Sequence, residues 1–241
     1  MAIRSSRGVG STLGKISKNS KGGMNISQNM KEEKEVQLAK KLFSNINEYR
    51  IATHRRLDAD AAFSTALILS LQKDPQPVIF IDSTDVITSD NIILLDLDLG
   101  ENSIKGDVIG SCFGLLVKVM NRPYSGFRHD PVFYNYLLTI AEHLNRSDSG
   151  KNDFHSYLDP HYLIRWWRLA GLNDEEILRI IYLLFKGMQK SVEKEEEAQI
   201  YLKTYGRAEK YCMIVENPPK DAKIQKFVFR NGKEAYIYYN T

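Results

Sequence analysis

The chain has 241 residues, of which 43% are hydrophobic and 26% charged, and carries a net charge of +3. That is the profile of a globular protein with one main domain and a small appendage, and it excludes a uniformly cationic nucleic-acid coat. No apolar run approaches the roughly 20 residues that cross a bilayer and no secretory leader is visible, so a cytoplasmic protein without membrane contact is expected. Cys112 and Cys212 lie too far apart for a metal knuckle or a disulfide framework. Cys112, followed by Phe113 and Leu115, reads as a small core residue.

The opening stretch contains Arg4, Arg7, Lys15, Lys18, Lys21 and Lys31, no acidic residue and no aromatic. Rich in Gly, Ser and Asn, it buries too little apolar surface to offset its ordering entropy, and a basic flexible tail over 1–31 is expected. Such a tail suits contact with nucleic-acid phosphates or mere solubilisation. The run from Gly8 to Lys15 is no phosphate-binding loop, because Ile16 stands where the hydroxyl belongs and no strand precedes it.

Val36, Leu38, Leu42, Phe43 and Ile46 predict a helix over 30–47. A short strand, Tyr49-Arg50-Ile51-Ala52, then leads into the polar turn Thr53-His54-Arg55-Arg56-Leu57-Asp58-Ala59-Asp60-Ala61 and an apolar helix over 62–71. Open α/β sheets place ligands at such strand ends. His54, Asp58 and Asp60 are therefore candidate metal ligands. Capping of the helix accounts for Asp58 alone, not for the set. Arg55 and Arg56, beside this turn, are candidate catalytic residues that neutralise a phosphate oxygen, or else face solvent.

Pro75-Gln76-Pro77 precedes the strand Val78-Ile79-Phe80-Ile81, and a third strand, Ile92-Ile93-Leu94-Leu95, runs on into Asp96-Leu97-Asp98-Leu99-Gly100. Both are short and apolar, as in a parallel sheet. Asp96 and Asp98 share side-chain parity in an extended segment. Asp98 is expected at the strand's end facing His54, with Asp96 in a supporting or capping role.

Helices are predicted over 110–120 and 131–144, the second ending in a polar turn that holds Asp148. Residues 152–161 read as a polar, aromatic loop or lid before Trp166-Trp167. Asn173 and Glu176 have the spacing of a capping box, opening a helix whose Ile177, Ile180, Ile181, Leu184 and Phe185 read as core. The charged run 193–197 reads as its solvated continuation. Met213-Ile214-Val215 is a predicted strand, and 224–230 and 233–239 form a hairpin about Asn231-Gly232. Its aromatics, interleaved with Lys226, Arg230 and Lys233, suit packing against the body or stacking on bases.

The constellation resembles the DHH phosphoesterase superfamily, and within it the branch that degrades short oligonucleotides. His54-x-x-x-Asp58-x-Asp60-Ala61 matches the family's first motif in full, and Asp98-Leu99-Gly100 resembles the later strand end. Gly110-Ser111-Cys112-Phe113-Gly114 resembles the start of its serine-rich helix, and Asp148 its terminal aspartate. The resemblance implies an α/β, parallel-sheet DHH-like domain over 32–206 with flanking helices, followed by a C-terminal β segment over 207–241. It also implies two Mn2+ or Mg2+ ions: His54 and Asp58 on one, Asp60 and Asp148 on the other, Asp98 bridging. The implied reaction is hydrolysis of a phosphodiester or phosphoanhydride in a phosphate-containing substrate such as a short oligonucleotide, as an exonuclease would perform it. One departure is plain: between Asp98 and Ser111 the family's Asp-His-His signature is absent, and no histidine stands there. Asp107, His129 and His155 are the candidate substitute ligands. The alternative expectation is a catalytically degenerate relative that binds a nucleotide, a nucleic acid or a protein partner.

Overall fold

The computed structural model describes residues 21–82, 85, 89–120, 131–148, 159–205, 207–208, 213–214, 225–228 and 234–237. In chain order the elements are α1 (Lys21–Ser44), β1 (Arg50–His54), α2 (Ala59–Leu71), β2 (Ile79–Ile81), β3 (Ile92–Leu95), β4 (Ser103–Ile104), α3 (Cys112–Met120), α4 (Pro131–Asp148), α5 (Pro160–Leu169), α6 (Asp174–Tyr205), β5 (Arg207–Ala208), β6 (Met213–Ile214), β7 (Gln225–Val228) and β8 (Glu234–Ile237). The first four strands form one parallel sheet in the order β2-β1-β3-β4, so the chain is α/β as its apolar strand runs predict.

Strand parity divides the core. Ile51, Ile93, Leu95 and Ile104 point into the large cluster shared with the helices, while Ala52, Ile81, Leu94 and Leu97 form a smaller cluster on the opposite face. α2 is buried from Ala59 to Ser70 because almost every residue in it is apolar or small, and it packs on α6, α3 and the sheet. Phe63, Phe113 and Phe185 join α2, α3 and α6, with ring centroids 6.0 to 6.2 Å apart. Contacts of this kind add about 0.5 to 1.5 kcal/mol per pair beyond the area they bury.

Four features differ from the sequence expectations. α1 begins at Lys21, inside the stretch expected as a flexible tail, and residues 1–20 lie outside the described residues. Its docked half explains the extension. Glu35 is buried and accepts a hydrogen bond from the Gly106 N–H at 2.9 Å, Lys118 pairs with Glu32 at 3.1 Å, and extending a helix already nucleated costs little. α5 replaces part of the expected loop: Asp159 accepts from the His161 N–H at 2.9 Å as N-cap, and Pro160 occupies the first turn. β4 is too short to leave a periodic signal. In α6, Ile177, Ile181 and Phe185 are buried, but Ile180 and Leu184 are exposed, because the helix packs on α2 and, less extensively, on α4, and its apolar stripe is wider than those contacts.

The capping box forms reciprocally, Asn173 N–H to Glu176 at 2.8 Å and Glu176 N–H to Asn173 at 3.0 Å. β7 and β8 pair antiparallel as the hairpin reading expects, but with Val228 opposite Glu234, one residue away from the Val228–Ala235 pairing that a two-residue turn at Asn231-Gly232 would set; residues 229–233 and the hairpin's aromatic side chains lie outside the described residues. No described helix is long and apolar enough to cross a membrane.

Candidate metal centre

β1 lies inside the sheet, and the chain leaves it for β2 on one side before crossing to β3 on the other. The carboxyl ends of β1 and β3 thus flank the point where the connection reverses, the crevice in which open parallel sheets bind ligands. Thr53, fully buried, donates its hydroxyl to the Leu95 carbonyl at 3.1 Å and fixes the two strand ends together. The backbone then turns left-handed at Arg56 (φ 56°). Three bonds hold this turn: the Arg56 N–H donates to Asp174 at 2.8 Å, and Arg168 donates to the Leu57 carbonyl at 2.6 Å and to Asp174 at 2.7 Å.

His54, Asp58 and Asp96 meet at this crevice, one potential ligand atom from each lying within 4.8 Å of the others. His54 Nε2 is 3.4 Å from Asp96 Oδ2 and 3.7 Å from Asp58 Oδ2. Its Nδ1–H donates to the Arg55 carbonyl at 3.0 Å, the kind of bond that fixes a ligating imidazole's tautomer and turns Nε2 toward a metal. Asp58 divides its oxygens: Oδ1 accepts the Ala61 N–H at 2.9 Å as the N-cap of α2, and Oδ2 faces His54. With metal–oxygen bonds of about 2.1 Å, neighbouring ligand atoms of one small ion lie about 3 Å apart. The two separations from His54 are close to that spacing, and the third lies within 4.8 Å. One imidazole and two carboxylates could hold one metal ion.

Electrostatics bind the three groups to one another. The hydrogen bond to Asp96, and to a lesser extent the Arg55 carbonyl and the charge of Asp58, raise the His54 pKa to about 9 against the opposing effect of burial. Burial pushes the Asp96 carboxyl above its ordinary range, and the charge of Asp58 acts in the same direction against the bond from His54.

The remaining predicted residues are placed differently. Asp60 is 3% exposed, and its two oxygens accept the N–H groups of Cys112 at 2.6 Å and Phe113 at 2.8 Å. With Ser111 Oγ accepting from the Gly114 N–H at 2.9 Å, the N–H groups of Cys112, Phe113 and Gly114 at the amino terminus of α3 are all taken up by protein side chains. Asp98, expected opposite His54, is instead exposed and paired with Lys31 at 2.9 Å; Asp96 takes the position facing His54. The parity argument fails because β3 ends at Leu95 and the backbone is left-handed at Asp96 (φ 56°), so the alternation of an extended strand does not continue to Asp98.

Asp107 pairs with Lys31 at 3.4 Å and Lys105 at 3.7 Å. It lines a cavity of about 360 Å³ together with Asp58, Asp60, Asp96, Lys105 and Ser111. Asp148 is the last residue of α4, and its side chain, like His129 and His155, lies outside the described residues. Arg55 pairs with Asp82 at 3.3 Å, and both Arg55 and Arg56 line a separate depression with Phe80 and Asp174 rather than the cavity over the cluster. Among the described residues the cluster thus brings together three side chains that could hold a metal ion. Asp96 is the member that sequence reading assigned only a supporting role; its signal was a carboxylate directly after an apolar strand, at the position where the strand must stop.

No protein-family model, curated protein or solved structure matches the chain.

Proposed function

We propose that the chain is a DHH-like, metal-dependent phosphoesterase that hydrolyses a phosphodiester or phosphoanhydride, working from a one-ion centre of His54, Asp58 and Asp96. The observation that carries this reading is the triad itself. An imidazole pre-oriented through its Nδ1–H and two carboxylates converge at the sheet's connection reversal, and the two carboxylates also line a cavity of about 360 Å³. A divalent ion bound there supplies Lewis acidity toward a phosphoryl group and acidifies water. The chain's own residues do the rest. His54 and Asp96 fix the ligand geometry, Asp58 joins it to the start of α2, and Lys105, paired with Asp107 at 3.7 Å, lines the cavity beside Asp58 and Asp96. The motif from His54 to Ala61 supports the family assignment, and short oligonucleotides are its natural substrate class.

A second reading, a relative that binds phosphate compounds without turnover, is favoured by one observation. The ligands expected for a second ion are engaged elsewhere, Asp60 as the cap of α3 and Asp98 with Lys31. Calorimetric titration of Mn2+ into the wild type, Asp96→Ala and Asp98→Ala, followed by a hydrolysis assay on a short labelled oligonucleotide, separates the two. The proposal requires one ion per chain, lost in Asp96→Ala and retained in Asp98→Ala, with turnover. Binding without turnover leaves the second reading, and no ion in the wild type removes both the centre and the chemistry built on it.

A further inference from the structure

Asp58 borders two cavities. On one side is the acidic cavity that Asp58 shares with Asp96; on the other is a depression of about 380 Å³ lined by Asp58 and Ala59 and, from α5, by His161, Ile164, Arg165, Arg168 and Leu169. The cations here differ in their commitments. Arg168 is held by Asp174 and the Leu57 carbonyl, Arg55 by Asp82, and Lys105 by Asp107. Arg165, one helical turn beyond His161, is exposed and has no carboxylate partner among the described residues. An arginine at the wall of a groove, in no ion pair with the Asp58 that borders the same groove, presents a planar donor fork that matches a phosphate.

Along α5 the same side continues into an apolar surface. Leu169 is 76% exposed, and the rings of Tyr162 and Trp166 lie 5.9 Å apart at 37° beside it, Trp166 being 40% exposed. At 100° per residue, Arg165, Leu169, Tyr162 and Trp166 follow one another around the helix. A cation succeeded by aromatic and aliphatic surface is the pattern that holds a nucleotide chain, phosphate first and then base.

We infer that the α5 groove binds the part of the substrate next to the scissile bond, with Arg165 taking the neighbouring phosphate and the surface of Leu169 and Trp166 the adjoining nucleoside. The substrate class is a nucleotide chain carrying at least two phosphates, and Arg165 makes the protein discriminate in favour of the second one. This rests on the phosphoesterase reading of the triad, with which it shares Asp58.

The test uses thymidine dinucleotides that share one phosphodiester: TpT, pTpT and TpTp. KM for each is measured with Mn2+ on the wild type, Arg165→Gln, Arg165→Lys and, as a control on the exposed face of α6, Lys190→Gln. Affinity of each dinucleotide for the metal-free chain is measured in parallel by equilibrium dialysis. The wild type is expected to favour one phosphorylated dinucleotide over TpT by about tenfold, the low end for a charge-assisted hydrogen bond at an open groove. Arg165→Gln should bring that ratio to about one, Arg165→Lys should restore part of it, and Lys190→Gln should leave it intact. If the wild type hydrolyses none of them, the phosphoesterase reading fails, and the dialysis ratio still decides the role of Arg165. A wild type that treats the three alike, or an Arg165→Gln chain that keeps the preference, overturns the inference.

Discussion

Asp58 and Asp60 stand two residues apart in one motif and do opposite work. Asp58 is largely exposed, caps α2 with one oxygen and turns the other to His54. Asp60 is buried, with its oxygens on the backbone of α3. The difference is one of desolvation. A carboxylate enclosed by protein is tolerable when N–H donors take up its lone pairs, and it then serves as structure. A carboxylate at the rim, held by one hydrogen bond and facing an imidazole, keeps an oxygen for an ion. Asp96 and Asp98 repeat the contrast at the end of β3, the first turned inward to His54 and the second outward to Lys31.

The largest expected effect breaks this comparison at Asp60. Asp60→Ala leaves two buried N–H groups of α3 without acceptors, at about 1 to 3 kcal/mol each. Urea unfolding should show a loss of about 3 kcal/mol or more, and Asp60→Asn a smaller one. Unchanged stability together with abolished Mn2+ binding would make Asp60 a ligand and dissolve the distinction.

The next effect concerns pH. His54 titrates in the folded chain at about 9, above its ordinary value of 6.5, so the stability it contributes without metal is fully present below about pH 6.5 and is lost as pH rises through about 9. An ion at Nε2 must displace that proton. Mn2+ affinity should therefore rise about tenfold per unit from about pH 6 to about pH 8, and His54→Gln should bind weakly with little slope. A wild-type affinity flat over that range would mean that the imidazole is not a ligand.

Asp98→Asn should do least. An exposed ion pair contributes at most about 1 kcal/mol, so thermal unfolding should barely move and Mn2+ affinity should change by less than about threefold. A large loss of metal would restore Asp98 to the centre.

Much of this was legible in the sequence. Short apolar runs marked β1, β2 and β3, the capping box marked the start of α6, and the alternating runs about Asn231-Gly232 marked that β7 and β8 pair, but not their register, which differs by one residue from that of a two-residue turn. His54 and Asp58 stood out because the cap of α2 explains the carboxylate and not the imidazole that precedes it after a buried strand. α5 had a readable signal in Asp159-Pro160, a cap followed by the residue best tolerated in a first turn, but the polar aromatics before it obscured the boundary. The exposure of Ile180 and Leu184 was not legible, since helical periodicity shows that a face is apolar and not which neighbour covers it.

The sequence by itself determined that a parallel sheet would carry a polar turn with ligand-type side chains, because strand length, apolar runs and the chemistry of His and Asp are local properties. Only the tertiary structure decided which carboxylates face the imidazole. One left-handed residue after β3 exchanges Asp96 for Asp98, and the packing of α3 against the start of α2 claims Asp60. A backbone turn and a helix end brought from far along the chain redirect side chains in ways that local spacing does not encode.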